Sequence, residues 1–273
     1  MDLEIKQCRD TLGGEVGTNV RAILAELRAS EFDKWSQMPQ RGIGIKWFKS
    51  FTPANSWVSN KLGITSSDWC NGIKMSMNSM SNRATGGRSQ GNRHCRNPPC
   101  GEKNTIETLS HIRGSCPRSE LLRNAAHHKI RTQLANLFRE KGFEVHEEVH
   151  CLALSDDNNH HNRRADIVIL DRTKDKGMIM DPTLRWETNE DNQDKLVDEE
   201  NKSIYEPTVP FFKEKYQINN WEVHGLWFGA RGTASPLLKD FFKNKALDLR
   251  ELKDISLTVM RDTLNIIHKH LYS

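Results

Sequence analysis

Two groups of residues have types and spacings that can do chemistry. Cys95-x4-Cys100-x10-His111-x4-Cys116 brings three sulfurs and one imidazole into a short stretch of chain. Zinc takes four such soft or borderline ligands in a tetrahedron when its role is structural. Cys95 and Cys100 flank a tight Arg96-Asn97-Pro98-Pro99 turn, and Gly114 turns the chain between His111 and Cys116. A structural zinc can contribute on the order of 10 kcal/mol to folding, enough to hold a segment too small for its own core. With all four positions filled the metal would be structural rather than catalytic. His94, beside Cys95, is a competing ligand.

The second group is a pair of aspartates at the edges of apolar runs, in Arg164-Ala165-Asp166-Ile167-Val168-Ile169-Leu170 and Met178-Ile179-Met180-Asp181-Pro182-Thr183. Burying an unpartnered carboxylate is costly, so two of them ask for a reason. If the runs form a hairpin around the 171–177 turn, Asp166 and Asp181 are equidistant from its centre, directly opposite and on one face. Their β-carbons would then be about 5 Å apart. Two like charges that close repel unless a cation lies between them, and Mg2+, shared with a substrate phosphate, is the natural candidate. Downstream, Lys195, Glu199 and Lys202 recur at i, i+4 and i+7, on one helical face. A lysine there can orient an attacking water or neutralise charge developing on phosphorus. Glu187 is an additional carboxylate nearby.

The elements that must position these groups follow from periodicity and punctuation. Residues 1–80 read as helical. Val20, Ile23, Leu24 and Leu27 recur at helical spacing ahead of Trp35, and a second helix opens at Ser67-Asp68 and carries Trp69, Ile73, Met75 and Met77. Trp47, Trp57 and Trp69 are expected as core anchors of this small helical module, with base stacking as the alternative. The stretch Ser79–Pro99, rich in Ser, Asn, Gly and Arg, reads as a linker. Thr105 is expected to cap a short helix through His111. A longer helix spans roughly Ser119–Lys141, with Leu122, Ala126, Ile130, Leu134 and Leu137/Phe138 on one face and Gly142 beyond its end. Strands are expected at Phe143–His150, Arg164–Leu170, Met178–Leu184 and Trp221–Gly229. A charged helix over 189–206 stops at Pro207, and helices Pro236–Ala246 and Leu252–Leu271 close the chain. From residue 119 the order is α-β-β-β-α-β-α-α. This divides the chain into a helical lead-in at 1–80, a basic linker and knuckle at 81–118, and an α+β domain at 119–273.

Composition narrows the setting. The 273 residues are 36% hydrophobic and 28% charged, polar for a globular chain but above the disordered range. No apolar run approaches the roughly 18 residues of a membrane helix, and Met1-Asp2-Leu3-Glu4 does not open a signal peptide. Six cysteines are too few for a disulfide scaffold, which fits a reducing compartment. The net charge of +4 hides an asymmetry: residues 81–140 carry eleven Lys/Arg against four Asp/Glu, and residues 171–206 carry six against eleven. A basic block before an acidic one suits a nucleic-acid binder with a cation-dependent centre.

The pattern Asp166…Asp181…Lys resembles the PD-(D/E)xK nuclease superfamily, whose αβββαβ core matches the order read from 119 to 229. Nearly the whole chain resembles the C-terminal region of site-specific non-LTR retrotransposon proteins. It has Trp69…Ile73-Lys74-Met75-Ser76-Met77-Asn78, then Arg83 and Arg93, the Cys-Cys-His-Cys knuckle, Arg164-Ala165-Asp166 and Asp181-Pro182-Thr183-Leu184-Arg185-Trp186-Glu187. The resemblance implies a restriction-endonuclease-like fold with a structural zinc and a catalytic Mg2+. It implies DNA as substrate and a nuclear location, and it leaves open both element RNA as a further partner and whether the protein works alone or as two copies on the target. Asp166 and Asp181 would bind Mg2+, Lys202 would act as the family's lysine with Lys195 as rival, and Glu148 would be an additional acid. Arg83, Arg88, Arg93, Arg96 and Arg164 would contact nucleic acid. The family's nuclease nicks DNA so that a polymerase can prime on the exposed 3′ end. Two departures stand out: Ala165 occupies the position where the family often has proline, and no polymerase signature is present, Asp156-Asp157 lying in a polar loop. The rival expectation is a catalytically silent nucleic-acid-binding knuckle on an inactive nuclease scaffold.

Overall fold

The structure is a computed structural model that describes residues 20–61, 63–85, 91–151 and 164–272. The chain parts into two units, one ending at Ile43 and the other beginning at Gly44. In the first, helix α1 (Val20–Ser36) forms where the apolar spacing places it, and Phe32 meets Trp35 edge-on at 6.1 Å.

The second unit is an α+β fold around a four-stranded mixed sheet. Its elements are α2 (Ser66–Ser76), α3 (Leu109–Gly114), α4 (Glu120–Arg139), β1 (Glu144–His150), β2 (Arg164–Asp171), β3 (Lys176–Arg185), α5 (Gln193–Tyr205), α6 (Val209–Tyr216), β4 (Asn220–Gly229), α7 (Pro236–Asn244) and α8 (Leu249–Tyr272). The sheet order is β1-β2-β3-β4. The first three strands are antiparallel, and β4 runs parallel to β3.

Strand alternation sorts side chains onto two faces. Ile167, Ile169, Met178, Met180, Leu226 and Phe228 pack against Ile130, Leu134 and Phe138 of α4, Phe242 of α7 and Ile255 of α8. Val168, Leu170, Ile179 and Val223 face the other way, onto Phe212 of α6 and Tyr205 of α5.

Several expectations shift. The cap of α2 is Thr65, whose hydroxyl accepts from the Asp68 amide, rather than Ser67-Asp68. The cap of α3 is Thr108, not Thr105, because Thr105 is bonded to both Cys95 and Cys100 through its backbone. The charged helix does end near Pro207, but a second helix, α6, follows at once with Pro210 in its first turn, where a missing N–H costs nothing. The end of α4 is a Schellman turn: Gly142 has φ +83°, the Phe143 amide reaches the Phe138 carbonyl, and the two phenyl rings meet at 5.8 Å.

Trp47 and Trp57 are buried anchors, but of the common core. Trp47 meets Trp227 of β4 at 4.8 Å, and Trp57 packs with Leu257 and Met260 of α8; Trp69 is only half-buried. A fully buried ion pair adds to this. Glu187 accepts from Arg231 Nε at 2.9 Å and from the Thr233 hydroxyl at 2.9 Å, while Arg231 also donates to the Ser76 carbonyl. The Arg231 guanidinium lies over the rings of Phe48 and Trp186, 5.2 Å from each centroid. Glu187 is thus engaged inside the core and does not join Asp181.

Candidate metal centres and nucleic-acid interface

The Cys95, Cys100, His111 and Cys116 side chains converge, with their ligand atoms all within 4.8 Å of one another. Cys116 Sγ is 3.9 Å from Cys95 Sγ and 4.0 Å from Cys100 Sγ. Tetrahedral ligands about 2.3 Å from zinc would be about 3.8 Å apart. The backbone holds this spacing: the Cys95 amide donates to Thr105 O, the Thr105 amide to Cys100 O, and the Cys116 amide to His111 O. His111 Nδ1 is 3.0 Å from the Ser115 hydroxyl, whereas its buried Nε2 has no hydrogen-bond partner among the described residues. A buried polar atom without a partner needs an explanation, and a metal supplies one; the second nitrogen is held in the way a ligating imidazole requires. Burial, above all, pushes the Cys95 thiol up to about 12 and raises Cys116, and it lowers His111. Binding a metal therefore displaces thiol protons and meets an already neutral imidazole. The cluster can bind a metal and is compatible with zinc.

Sequence spacing did not show what surrounds this cluster. His270, fully buried near the end of α8, lies with Nε2 3.7 Å from Cys95 Sγ and Nδ1 3.7 Å from Cys116 Sγ. It also meets Glu107 Oε2 at 3.3 Å. Arg96 donates to Glu107 through Nε and Nη2, at 2.8 and 2.9 Å, and to the Leu271 carbonyl. Bonds from Arg96, His270 and the Arg83 backbone hold the buried Glu107 carboxyl well below the usual range, against the opposing effect of burial. His94 sits apart, in a lone β-bridge to Ile106.

The second centre is at the open end of the β2–β3 hairpin. The register is the one expected: Ile167 opposes Met180 and Ile169 opposes Met178, so Asp166 and Asp181 lie one step beyond the last paired residues. Pro182, with no N–H, follows Asp181 there. One oxygen of each carboxylate and a nitrogen of His127 lie within 4.8 Å of one another. His127 Nε2 is 3.0 Å from Asp166 Oδ2. Tyr205 donates its hydroxyl to Asp181 Oδ2 at 2.9 Å, and Thr183 donates to Asp181 Oδ1 at 3.2 Å. Burial first, then the Asp166 charge, raises Asp181 above the usual carboxylate range; Tyr205 opposes this. His127 is raised by its bond to Asp166, which outweighs the larger opposing effect of burial only with the added pull of both carboxylates.

The inner side of α5 is partly polar: Asp194, Val197 and Asn201 are buried. Asn201 donates to the Thr183 hydroxyl, and Asp198 accepts the Gly225 amide at 2.9 Å. Gly225, beside Asp181 in the ladder, admits α5 this closely, since a Cβ there would lie 2.8 Å from Asp198 Cα. Lys202 pairs with Asp198 at 2.6 Å, one turn before Tyr205 on the same helix. Lys195 and Glu199 are exposed. Glu148 is not drawn into the centre: its backbone is left-handed at φ +53°, and its carboxylate pairs with Arg131 and, at 3.3 Å, with Arg164.

Of the arginines expected on nucleic acid, Arg96 is engaged inside the knuckle as described. Arg83 donates to the His94 carbonyl at 3.2 Å, and exposed Arg93 to the Ala84 carbonyl at 3.3 Å. Arg164 is half exposed beside Glu148, and Arg88 lies outside the described residues. His127 carried one signal in the sequence, a polar residue bordering the Ala126–Ile130 stripe of α4. His270 carried none, being far from the knuckle in sequence. No protein-family model matches the chain, and no curated protein does.

Proposed function

We propose that this chain is a divalent-cation-dependent DNA endonuclease of the PD-(D/E)xK type, with a structural zinc at Cys95, Cys100, His111 and Cys116. The convergence of Asp166 and Asp181 one step beyond the paired end of the β2–β3 hairpin carries this reading. Among the described residues the elements follow in the order α4-β1-β2-β3-α5-α6-β4, which supports a restriction-endonuclease-like core with α6 added. The two carboxylates fit a hard divalent cation such as Mg2+: they are oxygen donors, half-buried, close, and mutually repulsive without one. When bound, that cation would polarise a phosphodiester and lower the pKa of water.

The chain's own residues do the rest. Tyr205 and Thr183 fix the Asp181 carboxylate, so it presents a defined oxygen. Lys202, half-buried and paired with Asp198 one turn before Tyr205, would be the cation that neutralises charge on the phosphate during attack, in preference to the exposed Lys195. Arg83, Arg93 and Arg164 would contact phosphates without reading sequence.

The test is incubation of supercoiled plasmid with zinc-loaded protein and Mg2+ or Mn2+. Nicking by the wild type that Asp181→Ala abolishes is expected. Absence of nicking, or equal nicking by the variant, overturns the catalytic reading. Salt-sensitive DNA binding that survives Asp166→Ala without cleavage would instead mark a silent nucleic-acid-binding scaffold.

A further inference from the structure

Resting on the endonuclease reading above, we infer that His127 is a third ligand of the Asp166–Asp181 centre and turns it into a Mn2+ site in preference to a Mg2+ site. Three separate elements aim donors at one point: α4 supplies the imidazole, β2 and β3 the carboxylates. Two donors each about 2.1 Å from an octahedral ion, at right angles, are about 3.0 Å apart. The His127 Nε2 to Asp166 Oδ2 separation is 3.0 Å. The helix that carries the ring is fixed by Ala126 and Ile130, both buried, so the imidazole stands on a rigid support.

Three ligands on one side leave the remaining octahedral positions open to water and phosphate. Mg2+ prefers oxygen and gives up its waters reluctantly, whereas imidazole suits first-row transition cations. Mn2+ accepts both donor types, and two carboxylates with a neutral imidazole balance its charge.

The experiment adds Mn2+ to zinc-loaded protein and records electron spin-echo envelope modulation, with Mn2+ and Mg2+ affinities measured by titration calorimetry. His127→Gln and His127→Ala are compared; glutamine keeps a donor for Asp166 and so guards against a folding defect. The wild type is expected to show modulation from a directly bound imidazole nitrogen and to bind Mn2+ about tenfold or more tighter than Mg2+. Both variants are expected to lose the nitrogen signal and about tenfold in Mn2+ affinity, with Mg2+ affinity changed less than about threefold. Wild-type Mn2+ without nitrogen coupling, no Mn2+ binding at millimolar concentration, or an unchanged Mn2+ to Mg2+ ratio in the variants would overturn the inference.

Plasmid nicking in the same samples separates this inference from the reading beneath it. Asp181-dependent nicking without nitrogen coupling removes His127 as a ligand and leaves the endonuclease standing. His127-dependent Mn2+ binding without nicking in any cation does the reverse.

Discussion

The two metal-capable clusters are built on opposite plans. The cysteine cluster draws all four donors from one short stretch, and local backbone bonds hold them at coordination spacing. The carboxylate cluster draws three donors from three elements and is completed by a tyrosine from a fourth. One is closed by its own sulfurs and surrounded by His270, Glu107 and Arg96; the other ends in a hairpin mouth with few ligands. A closed site suits folding, and an open one suits chemistry. The difference also decides what each costs without its ion. Burial favours the neutral thiols of Cys95 and Cys116, whereas paired carboxylates repel.

The largest effect expected from this contrast is on the cysteine side. Cys116→Ala should lose the bound zinc, measured by atomic emission, and most of the roughly 10 kcal/mol that a structural site can give. Full zinc content in that variant, with His270 or Glu107 filling the gap, would break the distinction between a closed site and an open one.

On the carboxylate side the expected signs oppose each other. Asp181→Asn should abolish nicking yet raise the melting temperature of the cation-free protein. Its carboxyl titrates higher folded than unfolded, so its contribution to stability falls as pH rises through the unfolded value towards the folded one. Asparagine removes that penalty, and an increase in melting temperature is expected near neutral pH by calorimetry. A drop in melting temperature would mean that Asp181 supports the fold rather than strains it.

Smaller in its effect on nicking is Tyr205→Phe. It removes one bond to a carboxylate, about 1.5–3 kcal/mol when the acceptor is charged. The nicking rate should fall by about tenfold or more while zinc content stays unchanged. The smallest effect lies away from both centres. Arg172, at 2.6 Å, holds Glu144 down to about 2. That contribution is present above the ordinary glutamate range and fades as pH falls towards 2. Both side chains are well exposed, so Arg172→Ala should move the acid unfolding midpoint only slightly, by a shift that circular dichroism can follow.

What was legible in the sequence divides along the same line. Spacing alone located the cysteine ligands, and simple counting placed Asp166 opposite Asp181, because a hairpin's register is a matter of distance from its centre. Gly142 announced the end of α4 for an equally local reason. Nothing local announces Glu187 with Arg231, His270 with Cys95, or His127 with Asp166, since each pair meets only when separate elements pack. The Arg96 expectation shows the limit most plainly: a basic residue in a basic stretch reads as a phosphate contact until a buried glutamate is seen beneath it.

The buried guanidinium of Arg231 has a consequence for anyone cutting the chain into pieces. Its neighbours Phe48 and Ser76 both precede the knuckle, while Glu187, Trp186 and Thr233 follow it. A fragment begun at the long helix would strip one ring and one carbonyl from a fully buried cation and expose the Trp227 face that Trp47 covers. The shortest expression product that keeps this arrangement whole begins at or before Gly44.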